Sequence, residues 1–171
     1  MSITFISGKE HYDTVLSMVS SVKKSLWIGT ADIKDLYIKT GSVTKPFLGL
    51  LAELLQRGIE IRLIHAKEPG QAFRDDFGRY PILNTALEHM LCPRVHFKML
   101  IFDFDSVYLG SANLTGAGIG MKSPDRRNFE AGILTDIPDI VESAIEQFDS
   151  VWRGAHCLSC GRRQYCPEPI K

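Results

Sequence analysis

The chain has 171 residues, 44% of them apolar, and twenty basic side chains balance twenty acidic ones. That length predicts one main domain whose core needs no disulfide, and zero net charge leaves local patches as the only electrostatic route to a polyanion. No stretch reaches the ~20 apolar residues of a membrane span, and residues 1–8 carry no signal-peptide pattern, so the expectation is a cytoplasmic protein that stays out of the membrane.

Ser7-Gly8-Lys9-Glu10 has capping-box spacing. Tyr12, Val15, Leu16, Val19 and Val22 follow at helical spacing and predict a first helix. Leu26-Trp27-Ile28 reads as a short buried strand. Residues 31–45 are mixed and turn-rich, and they give no assignment. Phe47, Leu48, Leu51, Leu54 and Leu55 predict a second helix that stops at Gly58. Ile59, Ile61 and Leu63 alternate with Glu60 and Arg62, a strand pattern. Residues 70–80 read as a loop or a weak helix, and residues 82–90, after Pro81, as a third helix. Residues 95–103 and 106–111 read as strands joined by a tight Asp103-Phe104-Asp105 turn. Residues 113–125 form a glycine-rich loop and residues 129–135 a further strand. Ile137, Ile140, Val141, Ala144, Ile145, Phe148, Val151 and Trp152 define a last helix with Pro138 in its first turn.

Strands interleaved with helices predict an α/β fold, a mixed β-sheet flanked by helices on both faces. The main domain runs over residues 1–153, and residues 154–171 form an irregular, cysteine-rich tail. His11, His65 and His89 lie in no motif and read as surface or structural histidines.

The chemistry concentrates in one stretch. His96 and Lys98 are two apart on a predicted strand, so both project from one face. Val95, Phe97, Met99 and Ile101 project from the other. Ser111 and Asn113, at the end of the next strand, offer a hydroxyl and an amide suited to phosphate oxygens. Gly110 beside them permits close backbone approach. The whole reads His96-x-Lys98, four residues, Asp103, six residues, Gly110-Ser111-x-Asn113. This pattern resembles the signature of the phospholipase D superfamily without departure, and Asn128-Phe129-Glu130 resembles that family's downstream glutamate. The strand order around it extends the resemblance over most of residues 1–153.

The resemblance implies a phosphodiesterase in which His96 attacks phosphorus to give a phosphohistidine. A histidine from a second motif copy protonates the leaving oxygen and then activates water. It implies that Lys98 and Asn113 hold the non-bridging oxygens, and that Glu130 orients His96 through its other ring nitrogen. No metal or cofactor is required for that chemistry. The chain carries one motif copy, so the resemblance implies a homodimer that brings two His96 side chains together. Asp103, seven residues from His96, faces the opposite side of a regular strand and reads as structural, bonding groups near the hairpin.

The superfamily cleaves phospholipids and nucleic acids, and short one-motif members resemble dimeric nucleases. Lys122, Arg126 and Arg127 are candidates to hold a nucleic-acid backbone, DNA or RNA. A lipid phosphodiesterase or phosphatidyltransferase and a non-catalytic nucleic-acid-binding module are the alternatives. No basic amphipathic surface helix marks a lipid enzyme.

Cys157, Cys160 and Cys166 crowd the tail, while Cys92 stands alone. In an intracellular chain such a cluster suggests a structural zinc before a disulfide. The fourth ligand is Cys92 or His156. Cys92 is preferred because a four-thiolate site uses every cysteine. An iron–sulfur cluster fits the same ligands, and free thiols or a redox disulfide are the plain alternative.

Overall fold

Alternation along the strands sorts apolar side chains onto two faces of one sheet, and helices cover both. The computed structural model describes residues 1–34, 36–67 and 70–170; Asp35, in the unassigned run, and Lys171, at the tail's end, lie outside them. In chain order the elements are β1 (Ile3–Ser7), a wide π-helical turn (His11–Val15) leading into α1 (Leu16–Ser21), β2 (Ser25–Thr30), β3 (Ile33–Lys34), β4 (Tyr37–Thr40), β5 (Val43–Pro46), α2 (Phe47–Gln56), β6 (Glu60–His65) and α3 (Gln71–Arg79). There follow α4 (Ile82–Ala86), β7 (Glu88–Leu91), β8 (Lys98–Phe102), β9 (Ser106–Gly110), β10 (Leu114–Thr115), β11 (Ala131–Thr135), α5 (Pro138–Trp152) and a 3-10 turn (Arg163–Tyr165).

Seven strands pair in the order β1-β11-β9-β8-β2-β6-β7. β2, β6 and β7 run parallel, and β8 is antiparallel to β2 and β9. The expected mixed sheet is therefore present. One face carries Leu26, Ile28, Ile61, Leu63, Leu100 and Phe102 against Leu16, Val19, Leu51 and Leu54 of α1 and α2. The other carries Trp27, Met99, Ile101 and Val107 against Val141, Ala144 and Phe148 of α5. Burying each such side chain contributes about 1.5–3 kcal/mol.

Several expectations are corrected in detail. Residues 82–90 do not form one helix: α4 ends at Ala86, and Glu88–Leu91 join the sheet beside β6. Four residues are too few for periodicity to separate strand from helix, and parallel pairing with β6 decides it. Residues 70–80 are helical as α3. Residues 3–7, which gave no strand signal, form β1 at the sheet edge, with Ile3 and Phe5 facing outward. The unassigned run contains the short strands β3, β4 and β5. Ser7 and Glu10 form the expected local bond, Ser7 N–H donating to Glu10 at 2.9 Å. Among the described residues, no helix is long and apolar enough to cross a membrane.

Candidate active site

His96 lies just before β8 rather than on it, and its side chain is exposed. Lys98 opens β8 and is buried, 7% exposed. The strand alternation still carries back through this segment, because Val95 and Met99 share the apolar layer under α5 and Phe97 packs against it. The Lys98 ammonium lies 3.3 Å and 3.4 Å from the two ring nitrogens of His96 and donates to the His96 carbonyl at 2.7 Å. Burial pushes Lys98 below the ordinary lysine range, and the charge of Glu130 opposes that shift.

Asn113 follows β9 on the same side. Its carbonyl oxygen accepts the Asp32 N–H at 3.2 Å and the Thr30 hydroxyl at 3.4 Å. A backbone N–H can only donate, so the oxygen must face it, and the amide nitrogen is left as a donor to the exterior. Thr30 and Asp32 were not singled out in the sequence. They stand at the carboxyl end of β2, which is parallel to β6. Such strand ends are where open α/β sheets place ligands, and that rule is the signal that would have found them.

Glu130 departs from the expected geometry. Its carboxylate accepts the Ser111 hydroxyl and, at 3.1 Å, the Asn128 side-chain amide. Among the described residues the His96 ring is bonded to Lys98 and not to Glu130. Asp103 is not part of the site at all. Its carboxylate accepts the backbone N–H groups of Lys23, Lys24 and Ser25 at 2.7–3.1 Å. Desolvation opposes its ionisation, but the N–H groups of Ser25, Lys23 and Lys24 outweigh it and hold the carboxyl below its usual range. The backbone entering β2 is what this carboxylate holds.

A family model described as "Cardiolipin synthase, PLD-like domain" matches residues 15–152. The chain belongs to the phospholipase D superfamily. The superfamily's general chemistry is that of phosphodiesters. The fold is shared with NucT from Helicobacter pylori, 17% identical over 88% of this chain and 95% of that one, with a TM-score of 0.66. It is shared too with Nuc, a phospholipase D family member from Salmonella typhimurium, 20% identical over 88% and 93%, also at 0.66. The archaeal chromatin protein TrmBL2, described by a novel mode of DNA binding, is 14% identical over 89% of this chain and 52% of its own, at 0.57. Among curated protein sequences none matches this chain.

In this phospholipase D-like chain two motif residues do other work than expected. The Ser111 hydroxyl accepts the Ala131 N–H at 3.1 Å as well as bonding Glu130, so it ties β9 to β11 rather than standing free for phosphate. Gly110 approaches no open groove: a side chain there would collide with the Tyr108 ring and the Ala131 carbonyl. Tyr108 lies across the paired glycines Gly110 and Gly132 to reach His11 Nδ1 at 2.8 Å. His11 is thus buried and structural, and burial pushes the Tyr108 hydroxyl well above its ordinary range. His65 and His89 pack on each other. Gly29 makes room for Phe97, whose ring occupies the space a side chain would need, and so seats the residue between His96 and Lys98. Gly118 is pressed against the Asn113 backbone in the same way, which ties the glycine-rich loop to the site. Lys122 and Arg126 are exposed, and Arg127 is half-buried with no partner found for its Nε among the described residues.

The cysteines lie apart from this chemistry. Cys92, Cys157, Cys160 and Cys166 are unpaired and half-buried, and all four line one cavity of about 230 Å³ together with His156.

Proposed function

We propose that the chain is a nuclease that hydrolyses DNA or RNA phosphodiesters through a phosphohistidine at His96, acting as a homodimer. The observation that carries this reading is an exposed imidazole beside a buried ammonium, with the donor end of the Asn113 amide at the same end of the sheet. Lys98 and Asn113 would hold the non-bridging oxygens. The His96 ring nitrogen attacks phosphorus, a P–N bond forms, and the P–O bond to the leaving strand breaks as a second imidazole gives that oxygen its proton. The same imidazole then takes a proton from water, which displaces His96 and releases the phosphate. Glu130 supports the site by holding Ser111 and by placing its charge near Lys98.

The second imidazole is His96 of another copy, because the motif occurs once. Phe129, fully exposed beside Glu130, gives such a partner an apolar contact. The exposed Lys122 and Arg126, with the half-buried Arg127 next to them, favour a long polyanion over a single headgroup. The family model's description favours a lipid phosphodiester as the second reading, and the likeness to TrmBL2 favours DNA binding without cleavage as the third.

One experiment separates the three. The chain and His96→Ala are incubated in EDTA with plasmid, single-stranded DNA, RNA and cardiolipin or phosphatidylcholine vesicles. The expected result is nucleic-acid cleavage that vanishes in His96→Ala and sediments with a dimer. Cleavage of lipid only, or binding without cleavage, overturns the nuclease reading. Activity in His96→Ala overturns the mechanism.

A further inference from the structure

The tail presents a problem of stability. Leu158 and Tyr165 are 82% and 75% exposed, so they bury little. Ile170 is the apolar tail residue that packs on the α5 layer, where it fills the space over Gly154. The remaining attachments are polar. Glu168 accepts the Leu91 N–H at 2.7 Å, and Arg162 donates to the Pro93 carbonyl at 2.9 Å. Arg163 donates to the carbonyls of Cys157 and Ile170 at 3.0 Å and 2.9 Å. Ordering each backbone residue costs about 1–2 kcal/mol, and a surface hydrogen bond returns about 1 kcal/mol. With backbone turns within the tail as its other bonds, few of these contacts reach the main domain, and a further anchor there would add to its stability.

The tail is nonetheless folded back against the segment that follows β7, and this brings Cys92 to three cysteines more than sixty residues away in sequence. Cys157 and Cys160 sit on consecutive turns, with Cys157 N–H bonded to Gly154 and Cys160 N–H to Cys157. The Cys160 sulfur accepts the Arg162 N–H and a bond from the Arg94 side chain. Cys-x-x-Cys with a backbone donor to sulfur is the half-site of tetrahedral thiolate metal centres. Arg94, Arg162 and Arg163 line the same cavity. A zinc ion with four thiolates carries a net charge of −2, and three guanidiniums beside it offset that charge. Among the described residues no three His, Cys, Asp or Glu side chains are already gathered as a metal-binding group. Binding a metal would require the four thiols, which already line this cavity, to turn towards one another.

We propose that Cys92, Cys157, Cys160 and Cys166 bind one zinc ion and that this centre fastens the tail to the segment leading into His96. Four thiols give up four protons to one Zn²⁺, and no electron is transferred. Cys92-Pro93-Arg94-Val95 runs directly into His96, so the metal fixes one end of the strap that carries the imidazole. The metal site stands on the cysteines alone; its bearing on catalysis rests on the function proposed above.

The test uses the full chain, purified without a polyhistidine tag and without added metal. Elemental analysis is expected to find one zinc per chain, and Cys92→Ser and Cys157→Ser are each expected to lose it. Removing the metal is expected to speed amide hydrogen exchange of residues 91–97 by about tenfold or more, while β2 and β6 stay protected. A metal-free chain with four reactive thiols, a disulfide, or stoichiometric iron overturns the proposal. Full zinc in Cys92→Ser overturns the ligand set, since His156 would then complete it. Unchanged exchange at 91–97 on metal removal overturns the strap. None of these readouts depends on cleavage, so they fail or succeed separately from the nuclease reading.

Discussion

The two ends of β8 hold the same sequence signature and do opposite work. At the leading end His96 is exposed and Lys98 is buried beneath it, with little besides each other for polar company. At the trailing end Asp103 is saturated by three backbone N–H groups from residues 23–25, where it braces the turn into β2. The two ends lie roughly 17 Å apart at the ordinary strand rise. The contrast teaches that a motif can combine residues kept for reaction with residues kept for register. On the proposed function a phosphate would complete the first; the second are completed by the chain itself.

The comparison breaks if the two ends respond alike. Lys98→Met is expected to lower kcat/KM by about 10²–10³, as for loss of one charge-stabilising donor, with the melting temperature held or raised because a buried charge is gone. A loss of folding instead, seen by circular dichroism, would place Lys98 among the structural residues. Asp103→Ala is expected to do the reverse. It should cost about 2 kcal/mol of stability in urea unfolding, with the kcat of the folded fraction unchanged. Because its folded carboxyl is depressed, the stability Asp103 provides is complete above the ordinary carboxylate range and is lost as pH falls through the folded value. Its variant should show a flatter acid limb. The smallest effect sharpens the leading end. The proposed mechanism uses the charged ammonium, so kcat/KM should fall as pH rises through the lowered value of Lys98. Glu130→Gln removes the charge that holds that value up, and the alkaline limb should move to lower pH. An unmoved limb in the pH profile would detach Glu130 from Lys98.

Much of this was legible in the sequence, for reasons specific to each segment. Leu26-Trp27-Ile28 and the alternation after Ile59 identified the central strands, because each is buried on a defined face. The amphipathic spacing of α5 and the stop at Gly58, where φ is +80°, were equally plain. β1 was hidden because it is an edge strand whose Ile3 and Phe5 point outward, so the usual inside–outside contrast is absent. β7 reads as helix because Glu88–Leu91 is too short for its period to show, and its partner β6 is known only from the fold. The motif picks out His96, Lys98 and Asn113, which the pairing of Lys98 with Gly110 brings to one end of the sheet. It could not give the partners of Glu130, because Ser111 and Asn128 reach that carboxylate through the closure of β9 on β11 and the return of the glycine-rich loop. Nor could it name Thr30 and Asp32, which meet Asn113 only across the sheet.

That last contact has a consequence for selectivity. With the carbonyl of Asn113 pinned by Asp32 N–H, the side chain turns one polarity outward and cannot swap it for the other. On the proposed function, the site would sort ligands by the direction of a neutral dipole as well as by charge, favouring oxygen-rich anions over donors such as an ammonium. An aspartate would have nearly the same shape at that position, but it would present two acceptors where one end must donate. That orientation is fixed just past the end of β2, the strand beside β8, by the backbone of Asp32.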